Sequence, residues 1–395
     1  MINMSRSNPQ IAIDSLPLTK SFQLGNVVSN KLVPDGFSKS QNFYLKTWRE
    51  QSCQNSSWGE TWNYVLPESL NVVSSHFLEI DLNLLASGTY KKYPGLYAIN
   101  RIKLLSNGSE VYDLDYKLYM REFLSSLSDE ESLAFVNTYM GGSSASNAAR
   151  TISCPMMLPN SHYLRRHSGY GYGIFPHKLS TRLEFQITMG TCNDIKLTGA
   201  DDAASIQNAC RWVTREVKGD QNSIIRKYSD ARGVYSVQVP RFQEIVPWKV
   251  AAANTADSVK ATLPTGCCYE FLVEAYPTSV DLDLTDRESA TQPTFFKITC
   301  DGEDVRVLAN GTRVGQELFA NGYRTNSVVN NFARICFADQ CSKSDHCFQG
   351  AIHCGNISSI QTEITFTAET RYRIVAKKYS KVRIQSNGIL RSSFE

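Results

Sequence analysis

SCPMMLPNSHYLRRHSGYGYGIFPHKLSTRLEFQITMG, residues Ser153–Gly190, anchors the chain. It opens on an apolar run, Met156, Met157 and Leu158, and continues through a turn-rich insert crowded with tyrosine, histidine and arginine. Its last ten residues, Thr181–Gly190, alternate Leu183, Phe185, Ile187 and Met189 with Arg182, Glu184, Gln186 and Thr188. A period of two marks a strand with one buried and one solvated face. Alone, the aromatic and basic insert reads as a ligand surface; with its flanks, it reads as a loop joining two strands of a sandwich.

Immediately upstream lies one convincing helix. Ser128 and Glu131 form a capping box, Leu133, Val136 and Met140 share a face, and Gly141-Gly142 supplies the stop. Further back, His76–Leu84 alternates Leu78, Ile80, Leu82 and Leu84 with acidic and amide residues. The runs Tyr97–Leu105 and Val111–Tyr116 flank Asn107-Gly108, a hairpin signal, and Asn310-Gly311 is read the same way. Asn42–Trp48 and Thr61–Leu66 give two earlier strands. Residues 1–40 are polar and turn-rich, an arm with apolar anchors at Ile11, Ile13, Leu16 and Leu18 that is expected to reach a neighbouring subunit.

Downstream, Ala204, Ile206, Ala209, Cys210, Val213 and Val217 roughly share a stripe, which predicts a helix over Asp201–Val217, with Asp201-Asp202 as its N-terminal charge. A polar segment to Gly233 then reads as a boundary. Seven β-rich runs follow: Val234–Val239, Ile245–Val250, Tyr269–Ala275, Phe295–Cys300, Val305–Leu308, Phe332–Phe337 and Ile360–Thr367. Arg371–Leu390 closes the series. Many short strands spaced by Gly, Pro and Asn turns argue for antiparallel sandwiches, and each half has room for eight strands.

The totals narrow the function. A chain of 395 residues with 42% hydrophobic and 20% charged residues is long enough for two packed cores. A net charge of +3 is too small for a dedicated nucleic-acid-binding domain. There is no apolar run of about 18 residues to span a membrane, and the start, MINMSRSNPQIAID, has no apolar core of a signal peptide. Eleven cysteines without that signal are expected to be reduced thiols, and the sequons at Asn55, Asn107, Asn310 and Asn356 are not expected to be glycosylated, those at Asn107 and Asn310 reading as turns.

The order of these elements resembles the double jelly-roll major capsid proteins of tailless double-stranded DNA viruses, the nucleocytoplasmic large DNA virus and adenovirus hexon lineage. Five pieces carry the resemblance. Phe43, Lys46, Trp48 and Arg49 in NFYLKTWREQSCQN occupy the aromatic and basic places of the family's opening strand. Tyr97–Asp115 is similar to its strand–Gly turn–strand segment. Pro155, Leu158, Tyr163, Arg165, Gly173, Phe175, Pro176 and Leu179 precede the Leu183–Met189 strand in the family's order. Phe348–His353 with Ile357–Ile360 resembles its late asparagine-containing motif, without the family's Pro-Ser before Ile352. Ala376, Tyr379, Val382, Arg383, Ile384, Ser386, Gly388, Leu390 and Phe394 match the C-terminal motif.

The resemblance implies an all-β chain of two consecutive eight-stranded antiparallel jelly rolls with a few short helices in loops. The expected layout is an arm at 1–40, a first jelly roll at 41–195, a linker with a helix at 196–233 and a second jelly roll at 234–395. It implies a structural protein with no reaction to catalyse and no cofactor. Its partners would be itself, as a homotrimer and in trimer–trimer lattice contacts, together with penton and minor capsid proteins. Packaged DNA or an internal membrane would lie at the inner face. The location would be the virion, assembled in the host cytoplasm or nucleus. Two alternatives stay open: a capsid-like scaffold that shapes an assembling viral membrane, and a jelly-roll glycan-binding protein or enzyme.

Sharper readings of single features are weaker than bland ones. Cys336, Cys341, Cys347 and Cys354 with His346 and His353 are spaced by four to six residues, which is not a zinc-knuckle spacing, so buried thiols are expected. Cys267-Cys268 reads as strand thiols. Asp281, Asp283, Asp286 and Glu288 lack the glycine and spacing of a calcium loop. His162, His167 and His177 sit in the tyrosine-rich insert, where loop or subunit contacts outweigh metal binding. No nucleophile elbow or phosphate loop occurs. No catalytic, cofactor or metal residue is therefore assigned. The basic run Arg371, Arg373, Lys377, Lys378, Lys381, Arg383 and Arg391 is expected to present part of its charge to packaged DNA or a membrane.

Overall fold

The computed structural model describes residues 45–53, 57–70, 72–125, 127–142, 144–156, 182–198, 206–218, 235–278, 291–308, 310–320, 333–337, 351–385 and 388–392. The N-terminal arm, the Tyr/His/Arg insert after Met156 and the acidic run at 281–288 lie outside the described residues, as do Cys341, His346 and Cys347.

Strand β1 (Leu45–Ser52), β2 (Thr61–Val65), β3 (Val72–Leu82), β4 (Thr89–Tyr90), β5 (Ile99–Ser106), β6 (Ser109–Asp115), β7 (Arg150–Pro155), β8 (Leu183–Met189), β9 (Lys196–Thr198) and β10 (Ile206–Lys218) make the first half. Eight of them form two four-stranded sheets, in the orders β1-β10-β3-β7 and β2-β8-β5-β6, while β4 and β9 pair as a small ribbon. The second half contains β11 (Tyr235–Ala251), β12 (Asp257–Ala261), β13 (Cys267–Pro277), β14 (Phe295–Cys300), β15 (Glu303–Leu308), β16 (Ala333–Cys336), β17 (Ile352–His353), β18 (Ile360–Thr365), β19 (Thr370–Gln385) and β20 (Gly388–Ser392). Its sheets run β11-β19-β13-β16 and β12-β18-β14-β15, with β17 added to β13 and β20 to β19. Every ladder within these sheets is antiparallel. Numbered within each half, the two orders are the same. With β4, β9, β17 and β20 left out of the count, one sheet of each half runs first-eighth-third-sixth and the other second-seventh-fourth-fifth, which is the wiring of a jelly roll. The chain is two such barrels in succession.

Each barrel has its own core. Trp62, Tyr112, Phe185 and Trp212 lie in the first, and Phe271, Phe296, Ile364 and Tyr372 in the second. In β8 the apolar residues Leu183, Phe185, Ile187 and Met189 are all buried and their neighbours half-buried, so the period of two is realised residue by residue. That strand lies inside its sheet, bonded to β2 on one side and β5 on the other. Asn107 and Gly108 both adopt positive φ, 48° and 78°, as the tight turn joining β5 to β6 demands. The expected capping box is present, Ser128 opening a helix over Asp129–Tyr139 that buries Val136.

Four expectations are corrected. The helix predicted over Asp201–Val217 is absent from Ile206–Lys218, which is strand β10, hydrogen-bonded between β1 and β3, so this part of the expected linker lies in a sheet of the first barrel. Its inward set is Cys210, Trp212, Thr214 and Glu216, a period of two that the looser apolar stripe concealed. Two flanking strands satisfy both edges of its backbone, and Val213 and Thr214 favour the pleat. Asn310-Gly311 is not a hairpin: the Asn310 side chain accepts the Arg313 N–H at 2.9 Å and caps a helix over Gly311–Ala320. The turn there is made earlier, by Asp301 and Gly302 at φ 50° and 88°. Strand β3 ends at Leu82, leaving Leu84 65% exposed rather than in the core. Finally, the runs expected at 234–239 and 245–250 are one strand, β11, whose Pro240 and Pro247 are tolerated because it is an edge strand.

Candidate functional site: the charged seam between the barrels

The place where chemistry concentrates is the junction of the two barrels. Helix α1 (Tyr116–Ser125) continues directly from β6, and Asp115 caps it by accepting the Leu118 N–H at 3.0 Å. From there it crosses to the outer face of the β11-β19-β13-β16 sheet. Leu118 is buried there in a small cluster with Leu272 and Val375, against Phe242. Alternation along β13 and β19 has put Phe271, Val273, Ile374 and Ala376 inside the second barrel, so Glu270, Glu274, Arg373 and Lys377 are left facing outward, toward α1.

These outward charges meet partners from the first barrel. Arg121 Nη1 donates to Glu274 Oε1 at 2.8 Å, and both side chains are 3% exposed. The same guanidinium contacts the Tyr276 hydroxyl and lies 5.1 Å from its ring centroid. Arg373 holds both barrels, reaching Glu274 at 2.7 Å and Asp115 at 3.1 Å. Burial works against the charge on Arg373, but Glu274 and Asp115 outweigh it and hold its pKa above the usual arginine value. Lys377 pairs with Glu122 of α1 and lies 3.6 Å from Glu270. Arg334, fully buried on β16, bonds Glu270 at 3.1 Å and approaches Glu122 at 3.9 Å. A further strut is Arg241, whose Nη2 donates to the Val111 carbonyl at 3.1 Å.

Four cations, Arg121, Arg334, Arg373 and Lys377, thus face four carboxylates, Asp115, Glu122, Glu270 and Glu274. Desolvating so many charges yields little net stability, but removing one partner strands another in a dry site. What the arrangement does is fix how one barrel sits on the other, because any slippage would leave charges unpaired.

The seam accounts for part of the C-terminal basic run. Arg373 and Lys377 point into the seam and are spent on acidic partners within the chain. Lys378 bonds Gln243 at 2.6 Å and Thr265 at 2.9 Å. Arg371 is exposed, while the side chains of Lys381, Arg383 and Arg391 lie outside the described residues. Sequence alone missed the seam because its members are up to 258 positions apart.

The other singled-out residues are not brought together into a site. Cys336 is buried on β16 beside Glu270, and Cys354 is buried in a short helical turn next to an exposed His353. Among the described residues no group of three or more His, Cys, Asp or Glu is placed to hold a metal ion. Burial pushes the thiols of Cys154 and Cys210 up to about 12 and that of Cys354 up to about 11, far from nucleophilic. Cys267 and Cys268 begin β13 as free strand thiols. Among the described residues no helix is long and apolar enough to cross a membrane.

One histidine escaped notice in the sequence. His76 lies in the first core, stacked on Trp212 at 5.4 Å, Tyr64 at 5.0 Å and Phe185 at 5.2 Å between ring centroids. Its Nδ1 is 2.9 Å from the Thr214 hydroxyl, while Nε2 is buried without a hydrogen-bond partner among the described residues. Burial drives its pKa down to about 3, so the ring is neutral.

No family model and no curated protein sequence matches the chain. Solved structures do. PBCV-1 VP54, as fitted into a reconstruction of the virophage Sputnik, superposes with a TM-score of 0.69 at 11% identity, covering 91% of this chain and 98% of that one. The Faustovirus major capsid protein gives 0.62 at 9% identity, covering 94% of each chain. The mavirus major capsid protein gives 0.55 at 8% identity, covering 88% of this chain and 90% of the other. The chain therefore has the double jelly-roll fold found in viral major capsid proteins, over nearly its whole length.

Proposed function

We propose that this chain is a major capsid protein, a structural subunit with no reaction of its own. It assembles as a homotrimer of six barrels with a pseudo-hexagonal outline, and the trimers tile an icosahedral shell. The observation that carries this is the buried seam. Two barrels of identical strand order are locked edge to face by paired charges, which makes each subunit a rigid double block. Rigid blocks of repeated shape are what a lattice needs, whereas an enzyme or lectin needs a pocket with convergent polar groups.

On this reading the subunit works in the virion, after assembly in the host cytoplasm or nucleus. Penton and minor capsid proteins join it there. Packaged DNA or an internal membrane would face the basic residues of the C-terminal run that the seam does not use, Arg371 first among them. The N-terminal arm would reach a neighbouring subunit.

Light scattering behind size exclusion tests the proposal, with a glycan array on the same preparation. A mass of three chains without glycan binding supports it. A monomer that binds glycans would favour the jelly-roll lectin reading. A protein that forms curved sheets on membranes but no closed particles would favour the removable scaffold.

A further inference from the structure

The two barrels carry the same three-residue device on the outer face of the same sheet. In the first, Trp48 on β1 lies under the Arg215 guanidinium of β10 at 5.7 Å and 6.0 Å from Phe77 of β3. In the second, Trp248 on β11 lies under Arg373 of β19 at 4.9 Å and 6.0 Å from Tyr276 of β13. First, eighth and third strands contribute the tryptophan, the arginine and the second aromatic in each case. No sequence repeat announces this, yet the match is residue for residue.

The helices match as well. Helix α1 follows β6 and is capped by Asp115 at Leu118; the helix over Gly311–Ala320, α2, follows β15 and is capped by Asn310 at Arg313. Counting from the cap, Tyr119 and Val314 are both buried in their own barrels, and Glu122 corresponds to Glu317. The two helices differ in what they cover. Helix α1 covers the device of the second barrel, since its cap Asp115 bonds Arg373 and its Arg121 stacks on Tyr276. On the first barrel, Tyr139 stacks on Phe77 at 5.5 Å, but among the described residues no helix covers the β1 side, where Trp48 is 56% exposed.

We infer that the Trp48–Arg215 face of the first barrel is a docking surface for a second copy of this chain, which covers it with helix α2 as α1 covers the Trp248–Arg373 face within one chain. The inference rests on the homotrimer proposed above and says where its contact lies. Repeating one head-to-tail contact closes a ring when the rotation permits. Alternating an internal and an external version of the same helix-on-sheet joint gives that ring near-equivalent joints throughout. An exposed tryptophan under an arginine is also the composition that anchors protein interfaces.

Two measurements on the full chain test this. Trp48→Glu should reduce the light-scattering mass from three chains to one with an unchanged circular dichroism spectrum, whereas Leu84→Glu, at an exposed apolar site elsewhere, should leave it at three. Independently, a photoreactive benzophenone side chain placed at position 48 should cross-link to the 311–320 peptide. With isotopically light and heavy chains mixed, that cross-link should join the two labels. Trimers that persist in Trp48→Glu, or cross-links that go to residues 1–44 or stay within one chain, would overturn the inference while leaving the trimer intact. A monomeric wild-type protein would remove the trimer itself.

Discussion

Arg121 and Glu274 stand 153 positions apart in the chain and meet at 2.8 Å, one from each barrel, in a contact almost sealed from water. The pair is surrounded by Tyr276, Arg373 and Asp115, so neither charge has another place to go. Its geometry bears directly on how the subunit behaves as one block.

Arg121→Met should lower unfolding free energy by roughly 3–5 kcal/mol, the usual consequence of leaving a buried carboxylate unpaired. Adding Glu274→Leu should restore part of that loss, because the stranded charge is then gone. Urea titrations of the wild type, the single and the double variant check this. A single variant as stable as the wild type would mean the seam is not dry.

Acid should weaken the first barrel through His76. The ring is neutral and buried in the folded state, with its pKa at about 3 against 6.5 in the unfolded chain. The unfolded chain therefore takes up the proton first as pH falls. The His76 contribution is intact above pH 6.5 and shrinks from there toward pH 3, by up to about 1.4 kcal/mol per pH unit. Denaturation midpoints at several pH values should show a flatter acid limb in His76→Phe. Identical limbs would mean the imidazole is not what titrates.

Buried thiols should be inert. Alkylation of the native protein followed by peptide mass spectrometry should mark the half-buried Cys267 and spare Cys154, Cys210 and Cys268 until denaturant is added. Native-state labelling of Cys154 would show that the first core opens readily.

Gly190, the last residue of the 153–190 stretch, is closed to any side chain. A Cβ there would sit 2.7 Å from the Tyr97 carbonyl oxygen, a backbone atom that cannot swing away. Gly190→Ala should cost roughly 1–3 kcal/mol, the usual range for forced overpacking. The melting temperature reads it, with Gly59→Ala, at φ 77° but in open space, as the comparison for backbone strain without a clash.

Much of the fold is legible in the sequence. Leu183–Met189, Asn107-Gly108 and the Ser128 box announce strand, turn and helix by local rules, and local rules suffice where one face is buried and the other wet. Strand β10 hides its period because Val213 is buried on the face opposite Cys210 and Trp212, which blurs a clean alternation. Asn310 was misread because one dipeptide serves both a hairpin and a helix cap, and only the residues that follow decide. The seam was invisible for a different reason. Arg373 and Lys377 look like any basic run until pairing brings Glu274, Asp115 and Glu122 against them.

Electron microscopy of the purified wild-type protein in negative stain tests the trimeric assembly. Class averages should show threefold particles with a six-lobed, nearly hexagonal outline, and these should pack edge to edge into sheets or shells at higher concentration. Averages containing only separate two-lobed particles, at every concentration and ionic strength tried, would contradict it.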